Sequence, residues 1–300
     1  MIIVTYNKIP DLSNIKKAIS QGEIDALFIS DNSAREDLLK GIRNQIPVEL
    51  GEKIIIIENG RNLGISAAIN VALKRAIDLG YYFIHLLDDD ASVSEHLFRT
   101  EQETFMQMLG KGYDVGAVCP LVSNNCGQME KKLFREPTSE ISQAITSGLL
   151  ISRDTVARVG YYDERFFLQY ADIEFTRRIL EKGYKIFRIN QVMVCQDFGV
   201  TLKRLSFRTL PSYTVEKLFS FINRSLGKSN NIFFYASIYS PTAEYDINVG
   251  IRKLFSIKGK NILYSPDGIL IIFTIVVKDF LRFIATGDIQ YIKAIEGVLR

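Results

Sequence analysis

Asp88, Asp89 and Asp90 stand side by side directly after an apolar run, in the stretch HLLDDDASVSEHLF. Like charges at that spacing repel one another, and carboxylates at the end of a buried strand are costly to desolvate. A divalent cation answers both problems. Mg2+ and Mn2+ take oxygen ligands, often one or two carboxylates together with substrate phosphates. In an extended segment alternate side chains share a face, so Asp88 and Asp90 can point together while Asp89 points away. The pair would hold the ion directly or through its waters, and Asp89 would serve another group, such as a ribose hydroxyl. An ion bridging to a diphosphate would stabilise charge developing on a phosphate leaving group. The competing reading is a solvated turn or a helix N-cap, where Asp is also common.

The elements around the triplet place it. MIIVTYN is a β-branched run closed by the turn-former Asn7, and LSNIKKAIS sets Leu12, Ile15 and Ile19 near helical spacing. DALFIS is a second strand ending at Asp31, REDLLKGIRNQI a helix, and KIIIIEN a third strand. ISAAINVALKRAIDLG carries Ile65, Ile69, Ala72, Ala76 and Leu79 on one stripe, with Gly80 as its stop. YYFIHLL is a fourth strand running into Asp88. Strands alternating with helices over short connections predict an α/β fold with a mostly parallel sheet covered on both faces. Ligands bind such sheets beyond the carboxyl ends of the strands, so Asn7, Asp31 and Asp88 should converge on one crevice.

Further on, SEHLFRTEQETFMQML reads as a helix, and DVGAVCPLVS and AITSGLLIS as strands. A loop rich in Tyr and Phe then leads to a helix from about Asp172 to Lys182, stopped by Gly183, and KIFRINQVMVCQDFG is a last strand. After about residue 200 the periodicity weakens, which predicts a boundary there and a mainly helical C-terminal region, 201–300.

The chain has 300 residues and a net charge of +3. That charge is uneven: residues 1–200 carry 23 Lys/Arg against 27 Asp/Glu, and residues 201–300 carry 14 against 7. The basic third fits either a solvated face or an anionic neighbour such as membrane phospholipid, a lipid-linked phosphate or nucleic acid. LKRLSFR and IRKLFSIKGK in that third interleave basic and apolar residues, as a peripheral membrane contact would. Nucleic acid is the weaker candidate, because no nucleic-acid motif occurs. Three cysteines without a CxxC pair point to a reducing compartment and away from a disulfide framework or structural zinc. No signal-peptide pattern opens the chain, and its longest apolar run, Ile269–Val277, is about half of the ~20 residues a spanning helix needs. That run is expected to be a buried strand or helix segment, with a membrane-surface contact as the alternative.

Taken in order, VTYN, ISDNSA, ENGRNLGISAAINVALKRAIDLGYYFIHLLDDDA and TSGLLIS with VGYYDERFFLQYADIEFTRRILEKGYKIF resemble the nucleotide-sugar glycosyltransferases of family 2, in their rhamnosyltransferase and galactofuranosyltransferase branch. The resemblance covers about residues 1–200. It implies a GT-A fold, with Asp88 and Asp90 holding Mg2+ or Mn2+ on the donor diphosphate. It further implies that Thr5, Asn7 and Asp31 line the nucleotide, with Arg61, Asn62 and Asp89 also on the donor side. Asp172 matches the family's general base, which would deprotonate an acceptor hydroxyl attacking the anomeric carbon from the face opposite the diphosphate, with inversion. A sugar hydroxyl is a poor nucleophile until its proton is accepted, and the helix macrodipole would favour Asp172 as the anion. An N-cap without catalytic duty is the plain alternative, and Glu174 is the second candidate base.

One departure concerns the metal. Related enzymes often complete the site with a His about two dozen residues past the base, where this chain reads VCQDFG. Asp197 is the substitute expected there, with Gln196 as a weaker oxygen donor. The only histidines are His85, expected to be packed within its strand, and His96, expected on the following helix. Tyr161, Tyr162, Phe166, Phe167 and Tyr170 would form either an acceptor platform or core packing.

The expected activity is therefore transfer of a sugar of the rhamnose or galactofuranose class from a dTDP- or UDP-linked donor. The acceptor would be a growing, lipid-linked surface polysaccharide of the cell envelope, met in the cytoplasm or at the inner face of the plasma membrane. Two alternatives differ in class. A sugar nucleotidyltransferase would carry a Gly-rich phosphate loop after the first strand, and VTYNKIPDLS has no glycine. A non-catalytic nucleotide-sugar or glycan binder would have no need of Asp172.

Overall fold

The computed structural model describes residues 1–196, 201–204, 235–238, 246–253, 266–286 and 288–299. The chain divides into two compact units, Met1–Phe198 and Gly199–Arg300.

The first unit opens with β1 (Ile2–Thr5), α1 (Ser13–Ser20), β2 (Leu27–Asp31), α2 (Glu36–Arg43), β3 (Ile54–Glu58), α3 (Ile65–Asp78) and β4 (Phe83–Asp88). These four strands pair in parallel in the order β3-β2-β1-β4. Every β2 residue is buried, as in a strand covered on both faces. Register brings the strand ends level: Thr5 lies opposite Asp31, Asp31 opposite Glu58, and Val4 opposite Asp88. The polar ends of β1, β2 and β4 thus share one edge.

The second half of the unit adds β5 (Ser92–Val93), α4 (Leu97–Gly110), β6 (Val115–Ser123), β7 (Thr138–Ile141), β8 (Leu149–Ser152), α5 (Arg153–Val159), α6 (Ala171–Glu181) and β9 (Lys185–Cys195). It continues the sheet as β4-β8-β6-β9-β5, with β7 also on β9. Here β8 runs antiparallel to both neighbours while β6 and β9 run parallel. The sheet is therefore parallel through its first half and mixed beyond β4. Residues 144–148 are not part of the strand expected over AITSGLLIS, because Gly148 takes φ +80°. A Cβ there would also stand 2.9 Å from Pro120.

Hydrophobic patterning is followed where the helices pack on the sheet. Leu12, Ile15 and Ile19 are buried, as are Ile69, Ala72 and Ala76 of α3, while Leu79 at its end is exposed. Gly80 ends α3 at φ +88°.

The expectation of unpaired thiols is corrected. Cys126 and Cys195 form a disulfide with their Cα atoms 5.2 Å apart, and only Cys119 is free. Their separation of 69 residues conceals this pairing. The parallel register sets Ser123 opposite Cys195, and the turn after β6 then carries Cys126 back to the end of β9.

In the second unit, β10 (Thr201–Arg204) pairs antiparallel with β11 (Tyr235–Ile238), and helices cover 246–253, Pro266–Thr286, Gln290–Ala294 and Glu296–Leu299. Ile275 and Val298 form a small core that Ile251, Ile271 and Ile272 flank. The run Ile269–Val277 is helical, but Ile269, Phe273 and Val277 are exposed, so it is buried on one side only. Among the described residues no helix is long and apolar enough to cross a membrane. Residues 205–208 of LKRLSFR and 254–260 of IRKLFSIKGK lie outside the described residues.

Candidate active site

One end of the edge is built by β1 and β2. Thr5 Oγ1 donates to Asp31 Oδ1 at 3.0 Å, and both residues are buried. Asp31 Oδ2 is buried without a hydrogen-bond partner, so an acceptor stands ready for a donor that the protein does not supply. Beside it, Asn59 Nδ2 donates to Ser30 Oγ and to Asn32 Oδ1, each at 2.9 Å. Asn32 Nδ2 in turn reaches the Gly64 carbonyl at 3.2 Å. Asn7 sits at φ 53° with its N–H on Ser33 Oγ at 2.8 Å, its side chain exposed beyond β1. Arg61 and Asn62 are exposed in the connection from β3 to α3, where Asn62 Oδ1 accepts from Gly64 N–H at 3.0 Å.

The carboxylate triplet divides by role. Asp89 turns toward β1, its Oδ2 accepting the Tyr6 N–H at 3.2 Å. Asp88 is held from the other side by Gln196, whose Nε2 donates to Asp88 Oδ2 at 2.7 Å. Burial raises the Asp88 carboxyl to about 6, against the opposing hydrogen bond from Gln196, and the nearby charges of Asp90, Asp172 and Asp89 add to the rise. Burial also raises Asp89. Asp90 Oδ1 and Gln196 Oε1 are buried without hydrogen-bond partners. Crowded carboxylates with orphaned oxygens fit a hard divalent cation, which takes such oxygens. Among the described residues no group of three His, Cys, Asp or Glu gathers for a metal, and Asp197 lies outside them.

Asp172 enters from α6, in the first helical turn, where Tyr170 at φ 68° redirects the chain. Its Oδ1 accepts the Ile173 N–H at 2.8 Å, and burial raises its pKa against that bond. Asp172 acts on Asp88 electrostatically, so the base candidate and the triplet share one neighbourhood. Glu174 is taken up elsewhere. It is buried, and both its oxygens accept from Arg178, at 2.7 and 2.8 Å. It is an ion-pair residue whose two oxygens are already taken up by Arg178.

The loop between α5 and α6 leans on α3. Gly64, at φ +83°, lies so close to Phe167 that a Cβ would stand 2.7 Å from the Phe167 carbonyl oxygen. Ser66 Oγ donates to the Phe166 carbonyl at 2.6 Å, and Asn70 bonds both backbone groups of Tyr162. Of the aromatic cluster, Tyr162 and Phe166 are packing residues, and Tyr161 and Phe167 are exposed. Ser66, Asn70, Asn32 and Asn59 escape a reading by motif. A signal for two of them existed: Ser66 and Asn70 are polar residues on the buried face of an Ala- and Ile-rich helix.

The two histidines stay outside the site. His85 is buried in β4, with Nδ1 2.7 Å from Glu101 Oε2 and Nε2 3.1 Å from Gln102 Nε2, and burial lowers its pKa well below the usual range. His96 is exposed at the start of α4.

Comparison with known proteins identifies the family. The profile of glycosyl transferase family 2 matches residues 1–162. The dTDP-rhamnosyl transferase RfbF of Shigella flexneri is 23% identical over 213 residues, covering 66% of this chain and 68% of its own. The low-salt glycan biosynthesis hexosyltransferase Agl10 of Haloferax volcanii is 25% identical over 253 residues, covering 78% and 76%. The crystal structure of GalNAc-T7 with UDP, GalNAc and Mn2+ superposes with a TM-score of 0.50 at 14% identity over 65% of this chain, which spans only 43% of that one. The likeness to that structure is one of fold. Because the family profile matches more than half of the residues, the chain belongs to glycosyl transferase family 2 and is a glycosyltransferase built on a GT-A fold.

Proposed function

We propose that this enzyme moves a hexose of the rhamnose or galactofuranose class from a dTDP- or UDP-linked donor to a glycan acceptor, inverting the anomeric centre. The observation that carries the reading is the electrostatic action of Asp172 on Asp88, which puts a half-buried carboxylate on α6 in the same neighbourhood as the triplet at the end of β4. Asp172 takes the acceptor hydroxyl proton as that oxygen bonds to the anomeric carbon. The bond from that carbon to the diphosphate oxygen breaks, and the nucleoside diphosphate leaves. A carboxyl raised by burial is a better proton acceptor than an exposed one. Asp31, with an unpaired buried oxygen beside Thr5, receives a donor group of the nucleotide. Asp88 and Asp90 would hold Mg2+ or Mn2+, which when bound supplies charge stabilisation to the leaving diphosphate.

The descriptions of the two relatives favour a rhamnosyl or other hexosyl donor and a glycan product. The basic C-terminal third, with Ile269, Phe273 and Val277 exposed on one helix, supports a lipid-linked acceptor met at a membrane surface from the cytoplasmic side. Residues 1–200 are the catalytic domain in this reading and 201–300 the acceptor or membrane contact. The test is turnover of dTDP-rhamnose and UDP-galactofuranose with Mn2+ or with EDTA, with product configuration read by NMR. Product of inverted configuration that requires Asp172 is expected. Donor binding without transfer to any glycan acceptor, in wild type and Asp172→Asn alike, would favour a non-catalytic binder.

A further inference from the structure

We infer that Gln196 supplies the neutral oxygen that completes the cation site with Asp88 and Asp90, an inference that rests on the metal-dependent reading above. The two ends of its amide face different situations. Nε2 donates to Asp88 Oδ2 at 2.7 Å, which fixes the orientation of that carboxylate. Oε1 is buried and has no hydrogen-bond partner, and the same holds for Asp90 Oδ1. A buried carbonyl without a partner is costly to keep, and such orphans are rare in folded proteins. A hard cation satisfies amide carbonyl and carboxylate oxygens alike.

Two contacts anchor the chain at Gln196. Its N–H donates to the Ser123 carbonyl at 2.9 Å, and the preceding Cys195 is bonded to Cys126. A donor atom anchored in this way keeps its position whether or not the ion is bound. Among the described residues no third His, Cys, Asp or Glu joins two others at a common point, so a third protein ligand drawn from them must be of another type. The charge balance follows. A Gln donor leaves the site with the negative charge of its carboxylates alone, where Asp would add one more.

The test reads metal binding and requires no turnover. The full chain is titrated with Mn2+ in the presence of UDP or dTDP, with free Mn2+ followed by EPR, for wild type, Gln196→Ala, Gln196→His, Asp197→Asn and Asp88→Asn. Gln196→Ala is expected to weaken Mn2+ by about 10-fold or more. Asp197→Asn should change it by less than about 3-fold, and Asp88→Asn should abolish binding. Gln196→His should bring a nitrogen coupling to the bound Mn2+ in pulsed EPR, a signature that survives if the Ala variant does not fold. Wild-type affinity in Gln196→Ala, or no nitrogen coupling in Gln196→His, overturns the inference and leaves the metal reading standing if Asp88→Asn still abolishes binding. A wild-type chain that takes up no Mn2+ with either nucleotide overturns both.

Discussion

Asn70 holds Tyr162 by both of its backbone groups: Nδ2 donates to the Tyr162 carbonyl at 2.9 Å, and Oδ1 accepts its N–H at 2.9 Å. The Tyr162 ring lies flat on Phe175 of α6, with centroids 4.2 Å apart and planes 9° apart. A continuous path of contacts therefore runs from α3, which follows the NLG stretch, through Tyr162 to the helix that carries Asp172. This buried amide ties α3 to the loop before α6, alongside the Ser66 bond to the Phe166 carbonyl.

Removing that amide should loosen α6. Asn70→Ala leaves two backbone groups unpaired in a buried place, so a loss of about 2–4 kcal/mol is expected in urea unfolding. Asn70→Asp keeps the acceptor but sets a buried carboxylate against the Tyr162 carbonyl and Glu164 Oε1, both of which accept from Asn70 Nδ2 at 2.9 Å, so its loss should be at least that of Ala. A change below about 0.5 kcal/mol for Ala would mean that water replaces the amide and the tie is dispensable.

Gly64 offers a second handle on the same loop. A Cβ there would meet the Phe167 carbonyl oxygen and ring at 2.7 Å, whereas at Gly60, with φ +69°, it would meet nothing within 4 Å. Both Gly→Ala changes carry a positive-φ backbone penalty of at least about 1–2 kcal/mol, and Gly64, at φ 83° and ψ 166°, lies in a region that is essentially glycine's alone. Gly64→Ala should exceed Gly60→Ala by at least about 1 kcal/mol in thermal or urea unfolding, because backbone cannot give way as a side chain can. Equal losses would show that the loop shifts freely.

What was legible in the sequence follows this division. The parallel half, β1 to β4 with its helices, is written in local periodicity, and the level strand ends follow from simple register. The triplet stands out because three carboxylates after an apolar run are conspicuous in the sequence itself, whereas Asp172 is singled out only through the resemblance to the family. Contacts across long separations are not so written. Cys126 meets Cys195, Asn70 meets Tyr162, and Gln196 meets Asp88 across 69, 92 and 108 positions, and each depends on how distant strands and loops are brought together. Glu174, two residues on, is by type a second candidate base beside Asp172. Its burial against Arg178 decides the matter, and only tertiary packing shows it.

The raised Asp88 carboxyl predicts a trade between stability and function. With a folded pKa of about 6 above an ordinary 3.8, the folded protein keeps a proton that the unfolded chain releases. Without a cation, this group's stabilising contribution is present at low pH and is lost as pH rises from about 4 through about 6. At pH 7 the ionised group costs about 2–3 kcal/mol. Asp88→Asn should therefore melt higher than wild type at pH 7 without divalent ions, and the gap should close by pH 4. Mn2+ should stabilise wild type and not the variant. A variant that melts lower at pH 7 would place the wild-type carboxylate in a favourable environment and refute this account.

The clearest separation of chemistry from scaffold lies within α6. Asp172→Asn keeps the side chain's shape and can still accept the Ile173 N–H, but it cannot take a proton from an acceptor hydroxyl. Its kcat should fall by about 10²–10⁴ with donor binding nearly unchanged. Glu174→Gln, two residues away, does the reverse. It strips the charge from a buried pair with Arg178, so it should cost about 3 kcal/mol or more of stability. At a temperature where the variant remains folded, its kcat should stay within about tenfold of wild type, because no proton passes through it. Steady-state kinetics beside urea unfolding reads both at once. If Glu174→Gln lost activity at full stability while Asp172→Asn kept it, the base would be Glu174, and the orientation of the acceptor would have to be redrawn.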